Sequence, residues 1–370
     1  MQIDEPSASR EKGLVSEVAT LPLDLGERAE GTAAGGEGAR VQGAALARIA
    51  CFFGMIAALV FGLDSLITYG LRQIKTSQFG VSNRVMRGAV NAEIVITGSS
   101  RALSHYDPRI LQSRTGYSAF NLGRNGSQTD VQVAVLKAYL EHNRKPKIII
   151  HNLDSFSFEA TRQVYNPVQY VPYLYDEELY QPLRRIDHQK TWKWRNLPLY
   201  GYLVDDMGFS WMLGIGGALG WSPAEDYYMG FNPRSKGWTD EFTRFKAMNS
   251  GGVTWPVDAE GQESIDELIR ICRQQGIELI LVYSPEYAEM QKLVKNRAKI
   301  FTMFHELAEH NHLQFWDYSG WKHSDDTGYF TNSQHLNAAG AKVFSGDLSE
   351  QLRQYLDRKA GTDMDLLSSK

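Results

Sequence analysis

Glu93-Ile-Val-Ile-Thr-Gly-Ser-Ser-Arg101 is the stretch on which the reading of this chain turns. Ile94 to Thr97 are all β-branched, the residue type that suits a buried pleated strand, and Gly98-Ser99-Ser100 ends the run abruptly. The same succession of apolar strand, polar stop and amphipathic helix recurs along the chain. Tyr117 to Leu122 reads as a strand ending at Gly123-Arg-Asn-Gly126, and Lys147 to His151 as a third ending at Asn152-Leu-Asp154. Between them Val131, Val133, Val135, Leu136 and Leu140 predict a helix over 128–142 that faces a sheet. Further on, a helix over 263–275 stops at Gly276, and the strand Ile277 to Tyr283 is closed by Ser284-Pro285. A helix over 296–310, a short strand over 313–316 and a last helix over 337–358 complete the pattern. Such alternation predicts an α/β fold, a mostly parallel sheet with helices on both faces. Ligands of such sheets bind at the carboxyl ends of the strands, and here those ends carry Ser, Gly, Asn and Asp.

Outward from this region the composition changes. The whole chain has 370 residues, 43% hydrophobic and 22% charged, which excludes wholesale disorder. A net charge of −4 argues against a general nucleic-acid binder. Cys51 and Cys272 are too few for a disulfide framework or a cysteine-based zinc site, and no cofactor or metal is implied. Residues 1–43 hold eight acidic and four basic residues with no sustained apolar period, and read as a disordered tail. Ile49 to Leu63 then runs without a charge. With its flanks, 44–71, it is long enough to cross the ~30 Å hydrocarbon core of a bilayer. A buried core helix or a signal-peptide core would look similar. The late start and the long continuation favour an uncleaved membrane anchor, in which Asp64 is a costly interruption. Arg40 and Arg48 flank one end; Arg72, Lys75, Arg84 and Arg87 flank the other, a slight bias against export of the following domain. Residues 72–90 are expected to be a linker, 91–358 the α/β domain, and 359–370 a flexible tail.

Within the domain, the alternation is lost over 155–256. That insertion holds six of the eight Trp and nine of the eighteen Tyr. It is expected either to pack as a satellite core or to form an aromatic platform for a glycan or a membrane partner. Arg184, Arg185, Lys190, Lys193 and Arg195 cluster inside it.

Three short pieces carry chemistry. Gly98-Ser-Ser-Arg101 follows a strand, so a serine there is exposed at the sheet edge beside backbone N–H groups that can face an oxyanion. Asn121-Leu-Gly-Arg-Asn-Gly126 also follows a strand, and Gly126 allows close backbone approach to a substrate. Asn332-Ser-Gln-His-Leu-Asn-Ala-Ala-Gly340 places His335 on a loop just before a helix. His305-Glu-Leu-Ala-Glu-His310 only approaches the zinc-protease helix motif, with Glu309 where its second histidine should stand.

Together these pieces resemble the SGNH (GDSL-like) hydrolase superfamily, with Ser100 in the nucleophile position, Gly126 as the backbone oxyanion donor and His335 as the base. The arrangement is most similar to the membrane-anchored DltD-like and alginate-acetylation-type proteins. That resemblance implies a single N-terminal anchor in a bacterial inner membrane and an α/β domain on the extracytoplasmic, periplasmic side. It also implies acyl transfer to a polysaccharide or wall polymer beside a membrane-bound O-acyltransferase (MBOAT).

Two departures stand out. The superfamily usually has Asp three residues before the histidine; here that position is Asn332. An amide can hold one imidazole tautomer but cannot balance the imidazolium, and the same exchange in a serine protease costs about 10⁴ in kcat. Asp317, Asp325 or Asp326 could substitute from nearby loops. The third-block Asn is not in register, leaving Asn152 as a candidate oxyanion donor and Asp154 in its place. Arg101 and Asn121 are candidates for orienting the substrate. Two readings remain open: a serine-dependent O-acyltransferase or esterase, or a non-catalytic SGNH-fold subunit that scaffolds a polysaccharide synthase or export complex.

Overall fold

The β-branched runs form strands at the expected places. In the computed structural model, which describes residues 35–204, 209–224 and 227–368, the main sheet has β1 (Ile94–Thr97), β2 (Ala119–Asn121), β3 (Ile148–Leu153), β4 (Glu278–Tyr283) and β5 (Gln314–Asp317). The order is β2-β1-β3-β4-β5 and every neighbouring pair is parallel. A separate antiparallel hairpin, β6 (Phe330–Asn332) and β7 (His335–Leu336), follows.

Helices supply the crossovers. A long helix α1 (Gly35–Leu71) and α2 (Ser77–Met86) precede β1; α3 (Ser100–His105) and α4 (Pro108–Thr115) join β1 to β2; α5 (Thr129–His142) joins β2 to β3. The insertion carries α6 (Glu177–Ile186), α7 (His188–Asn196), α8 (Tyr200–Leu203), α9 (Ser210–Ala218) and α10 (Glu241–Met248). Then α11 (Ala259–Gln275) leads into β4, α12 (Ala288–Leu293) and α13 (Arg297–Asn311) into β5, and α14 (Ala338–Ser368) ends the chain.

The two-residue period of a strand sorts the core into two layers. Val95, Ile149, Leu279 and Leu281 face α5, α11, α13 and the insertion. Ile94, Ile96, Ile148, Ile150, Ile280 and Val282 face the other way, onto α3, α4 and α14. Burial on both faces is why these strands read as continuous apolar runs. The architecture is the α/β one expected, with helices on both faces of the sheet.

Several boundaries differ from expectation. Residues 72–90 are no linker. Ile74, Phe79, Val81 and Val85 are buried in the first core layer, and the Asn83 amide donates to the carbonyls of Leu71 and Ile74 at 2.9 Å each. The insertion is no satellite either, because Tyr173, Leu174, Leu183 and Tyr202 join that same layer. The last helix runs on to Ser368, through the segment expected to be a flexible tail. The expected disordered tail lies, for residues 1–34, outside the described residues. Within α1, Val41–Leu71 is long and apolar enough to cross a membrane.

Candidate active site

The turn after β1 sets the site. Gly98 has φ +139°, and a Cβ there would sit 2.9 Å from both the Ala102 and the Asn152 Cβ atoms, so only glycine fits. Ser99 is the N-cap of α3 and accepts the Arg101 N–H at 3.2 Å. Ser100 is thereby the first helical residue, with its own N–H free of intrahelical bonding by position. Its Oγ lies 2.7 Å from His335 Nε2.

His335 reaches this point on the β6–β7 hairpin, where it pairs with Asn332. The Asn332 Oδ1 accepts the backbone N–H groups of Gln334 at 3.1 Å and His335 at 3.0 Å. Those two donors identify the atom as the amide oxygen. The ring Nδ1 of His335, 2.9 Å from the same oxygen, must therefore be the protonated nitrogen. Nε2 is left with its lone pair toward Ser100, the tautomer a general base requires. On its other side the Asn332 amide donates to Glu241 Oε2 at 3.3 Å. A chain of contacts thus runs Ser100–His335–Asn332–Glu241.

Electrostatics keep the imidazole neutral. Burial, the Arg234 guanidinium and the Arg101 guanidinium hold His335 well below the usual histidine range. Arg234 lies on a segment threaded between the catalytic pieces. Asn232 N–H donates to the Leu103 carbonyl at 3.0 Å and Ala338 N–H to the Arg234 carbonyl at 2.9 Å. The guanidinium reaches Asn125 Oδ1 at 3.4 Å, and among the described residues no carboxylate pairs with it. Arg234→Gln is expected to raise the His335 pKa, since a neighbouring positive charge disfavours the imidazolium. A general base acts in its neutral form, so with His335 in that role the acid limb of kcat/KM shifts to higher pH. A pH profile of ester hydrolysis checks this, and an unmoved limb would place Arg234 out of electrical reach.

Three further observations complete the site. Gly126 turns at φ +62° with the Tyr165 ring where its Cβ would stand. The loop before it is tied to the serine turn, Arg124 N–H donating to the Gly98 carbonyl at 3.0 Å. A cavity of about 360 Å³, lined by Phe242, Phe245, Met248 and Met290, opens on the Asn332 side of the relay. Ser100 and His335 do not line it.

The fold is α/β, a five-stranded parallel sheet with helices on both faces. A strand-end serine on β1, a glycine loop after β2 and a histidine ahead of the last helix meet at the carboxyl edge of a parallel sheet. No family profile matches the chain, and no curated protein does. Among solved structures it is similar to a GDSL-like lipase from Bacteroides thetaiotaomicron VPI-5482, at 8% identity and a TM-score of 0.36, covering 76% of this chain and 100% of that one. It is also similar to a protein assigned as an acylhydrolase from Bacteroides fragilis NCTC 9343, at 11% identity and a TM-score of 0.34, covering 72% and 86%. Neither likeness bears on substrate or activity.

Other residues proposed from the sequence are engaged elsewhere in the fold. Arg101 points into the interior, not toward a substrate. It pairs with Asp154 at 3.0 Å, donates to the Ser284 and Pro285 carbonyls and lies over the Tyr283 ring. Asp154 is therefore a structural counter-ion. Asn152 is no oxyanion donor: its amide donates to the Leu153 carbonyl and Asp154 Oδ1, and its Oδ1 accepts from Tyr106 OH at 2.7 Å. Asn121 is fully buried and donates to the Ala102 and Tyr106 carbonyls, tying β2 to α3. Asp317 accepts the Ser319 N–H and Asp326 the Gly328 N–H in their own turns; the Nδ1 partner of His335 is Asn332. Arg101→Met is expected to cost on the order of 3–5 kcal/mol, because it strands a buried carboxylate. Urea unfolding of the detergent-solubilised chain measures it, and a midpoint within error of the parent would refute the structural role.

Three further residues join the site without a sequence motif. Glu241 and Arg234 come from the insertion, where no motif marks them. His105 ends α3, fully buried. Its Nε2 accepts the Leu336 N–H at 3.0 Å, so its Nδ1–H donates to Ser284 Oγ at 2.9 Å. This bond fixes the backbone next to His335 over the helix that carries Ser100. The spacing of five residues from Ser100 was the available signal.

Proposed function

We propose that this protein is a membrane-anchored serine esterase or O-acyltransferase that works through an acyl-Ser100 on a cell-surface or exported polysaccharide. The observation that carries the reading is the 2.7 Å contact of His335 Nε2 with Ser100 Oγ, in the tautomer set by Asn332. His335 takes the Oγ proton as Ser100 forms a bond to the acyl carbon. The N–H groups of Ser100 and Gly126 are assigned to the oxyanion, each such donor being worth roughly 3 kcal/mol. The carbon–oxygen bond to the leaving alcohol then breaks, and that oxygen takes the proton back from His335. Water (hydrolysis) or a sugar hydroxyl (transfer) attacks the acyl-serine by the same steps in reverse.

Support for a polymer acceptor comes from the resemblance of the three sequence blocks and the N-terminal anchor to cell-surface acylation proteins. On this reading α1 crosses a bacterial inner membrane, the α/β domain lies outside the cytoplasm, and an MBOAT-type partner supplies the acyl group. A pure scaffold needs no nucleophile with a tautomer-matched base, so the relay favours the enzyme.

The test is covalent labelling of the full chain in detergent with a fluorophosphonate. The full chain is needed because Ile67, Leu71 and Ile74 are core residues that a truncation at residue 80 would remove. Modification of Ser100 is expected. A folded sample that takes up no label would return the protein to the scaffold reading.

A further inference from the structure

Residues 199–204 and 209–221 carry an apolar surface that the active site does not use. Leu203, Val204, Phe209, Met212, Leu219 and Trp221 are 62, 61, 64, 49, 82 and 53% exposed. Scattered exposed apolar residues are ordinary; this many on one short helical pair are not. The second helix of the pair, Ser210-Trp-Met-Leu-Gly-Ile-Gly-Gly-Ala218, has no charged residue.

This pair docks on the last turns of α1 through backbone. A Cβ on Gly70 would lie 1.6 Å from the Gly214 carbonyl oxygen, and one on Gly217 would lie 2.2 Å from the Gly70 carbonyl oxygen. Small residues that let helix backbones touch are the way helices associate in lipid, where apolar side chains gain nothing by pairing. The one carboxylate in this part of α1 is also satisfied. Asp64 Oδ1 accepts the N–H of Leu199, the N-cap of α8, at 2.7 Å, and Thr68 Oγ1 is 2.7 Å from Tyr202 OH. An intramembrane carboxylate is tolerated when it has such a partner.

The contacts also give a direction. Asp64 meets Leu199, Ile67 meets Gly214, Gly70 meets Gly217, and Lys75 N–H donates to Ser222 Oγ at 3.1 Å. Phe209 and Met212 therefore lie toward the apolar run of α1, and Trp221 and Lys75 toward its polar end. Exposed Leu63, Leu66 and Tyr69 continue the surface on α1 itself. Tryptophan and lysine at the margin of an apolar band are the composition of a membrane–water interface.

We infer that α8 and α9 lie in the bilayer interface beside α1, with lipid covering this surface. The domain would then be held to the membrane at two elements and could not swing freely about a single helix, which fixes the height and tilt of the Ser100 edge. The inference rests on α1 being a membrane helix, as in the function proposed above, but not on catalysis.

The experiment uses the full chain, with Cys51→Ala, in phosphatidylcholine nanodiscs. One cysteine at a time is added, Phe209→Cys or Leu219→Cys, to carry a polarity-sensitive fluorophore, with Gln354→Cys on α14 as the control and the native Cys272 buried away from the reagent. Emission at the first two sites is expected to shift to the blue and to fall at least twofold with brominated lipid, while Gln354 is unchanged. A chain that does not enter nanodiscs would defeat the anchor reading together with this one. A chain that enters, with both labels as open to iodide as the control, would overturn the interfacial helices alone. Labels shielded from iodide yet untouched by brominated lipid would assign the surface to protein and overturn the lipid assignment.

Discussion

Ser100→Ala is expected to lower hydrolysis of an activated acetyl ester by about 10⁴-fold or more and to abolish fluorophosphonate labelling. The reason is that this oxygen stands 2.7 Å from the unprotonated His335 Nε2. His335→Ala is expected to cost nearly as much. Combining the two should cost little further, since the pair acts as one unit and its parts are not additive. Ser100 is partly exposed and alanine removes only its Oγ, so near-ultraviolet circular dichroism should be unchanged. Parent-level turnover in Ser100→Ala would remove the acyl-serine from the mechanism.

A second large effect concerns Asn332. Replacing it with aspartate alone is expected to change the acylation rate less than tenfold at neutral pH, although aspartate is the superfamily's usual residue. The new carboxylate would face Glu241, whose Oε2 now accepts from the Asn332 amide at 3.3 Å. Two carboxylates at that distance cannot both ionise readily, so the added charge is largely lost to a shared proton. In Asn332→Asp with Glu241→Gln the glutamine can donate instead, the aspartate ionises, and the imidazolium gains its counter-ion. That double variant is expected to be faster than the parent by on the order of 10², less than the full 10⁴ because the parent tautomer is already correct. Burst kinetics on the four proteins of this cycle measure the coupling. Additive single effects would show that Glu241 does not explain the asparagine.

Much of the fold was legible because its causes are local. Ile94 to Thr97, Ile148 to Ile150 and Leu279 to Val282 are buried on both sides, and a strand so placed is written as an unbroken apolar run. Helices α5, α11 and α13 fall within a few residues of the spans expected from their apolar period, and α14 starts where expected but runs ten residues further. Helix α4 carries its end signals in the sequence: Asp107 as N-cap, Pro108 at the first turn and Gly116 in the left-handed C-terminal position. Helix α2 has no clear apolar period, because its seven buried residues include three polar ones: Ser77 accepts the Phe79 N–H, Ser82 accepts from the Arg124 guanidinium, and Asn83 donates to the Leu71 and Ile74 carbonyls. The hairpin β6–β7 was missed for its length, since two- and three-residue strands carry no period.

At the site, the sequence by itself picked out Ser100, His335 and Asn332, the three side chains that meet in the structure. Ser100, His335 and Asn332 each stand in a short motif at a strand end or ahead of a helix, where backbone geometry forces side chains to the sheet edge. Only the tertiary structure decided which remaining polar residues serve chemistry and which serve the core. Arg101, Asn121, Asn152 and Asp154 turned inward, because burial commits a polar group to whatever partner lies nearest in space. Glu241, Arg234 and His105 came to the site from segments without a motif, because a charge acts over ångströms of space and not over positions in a chain.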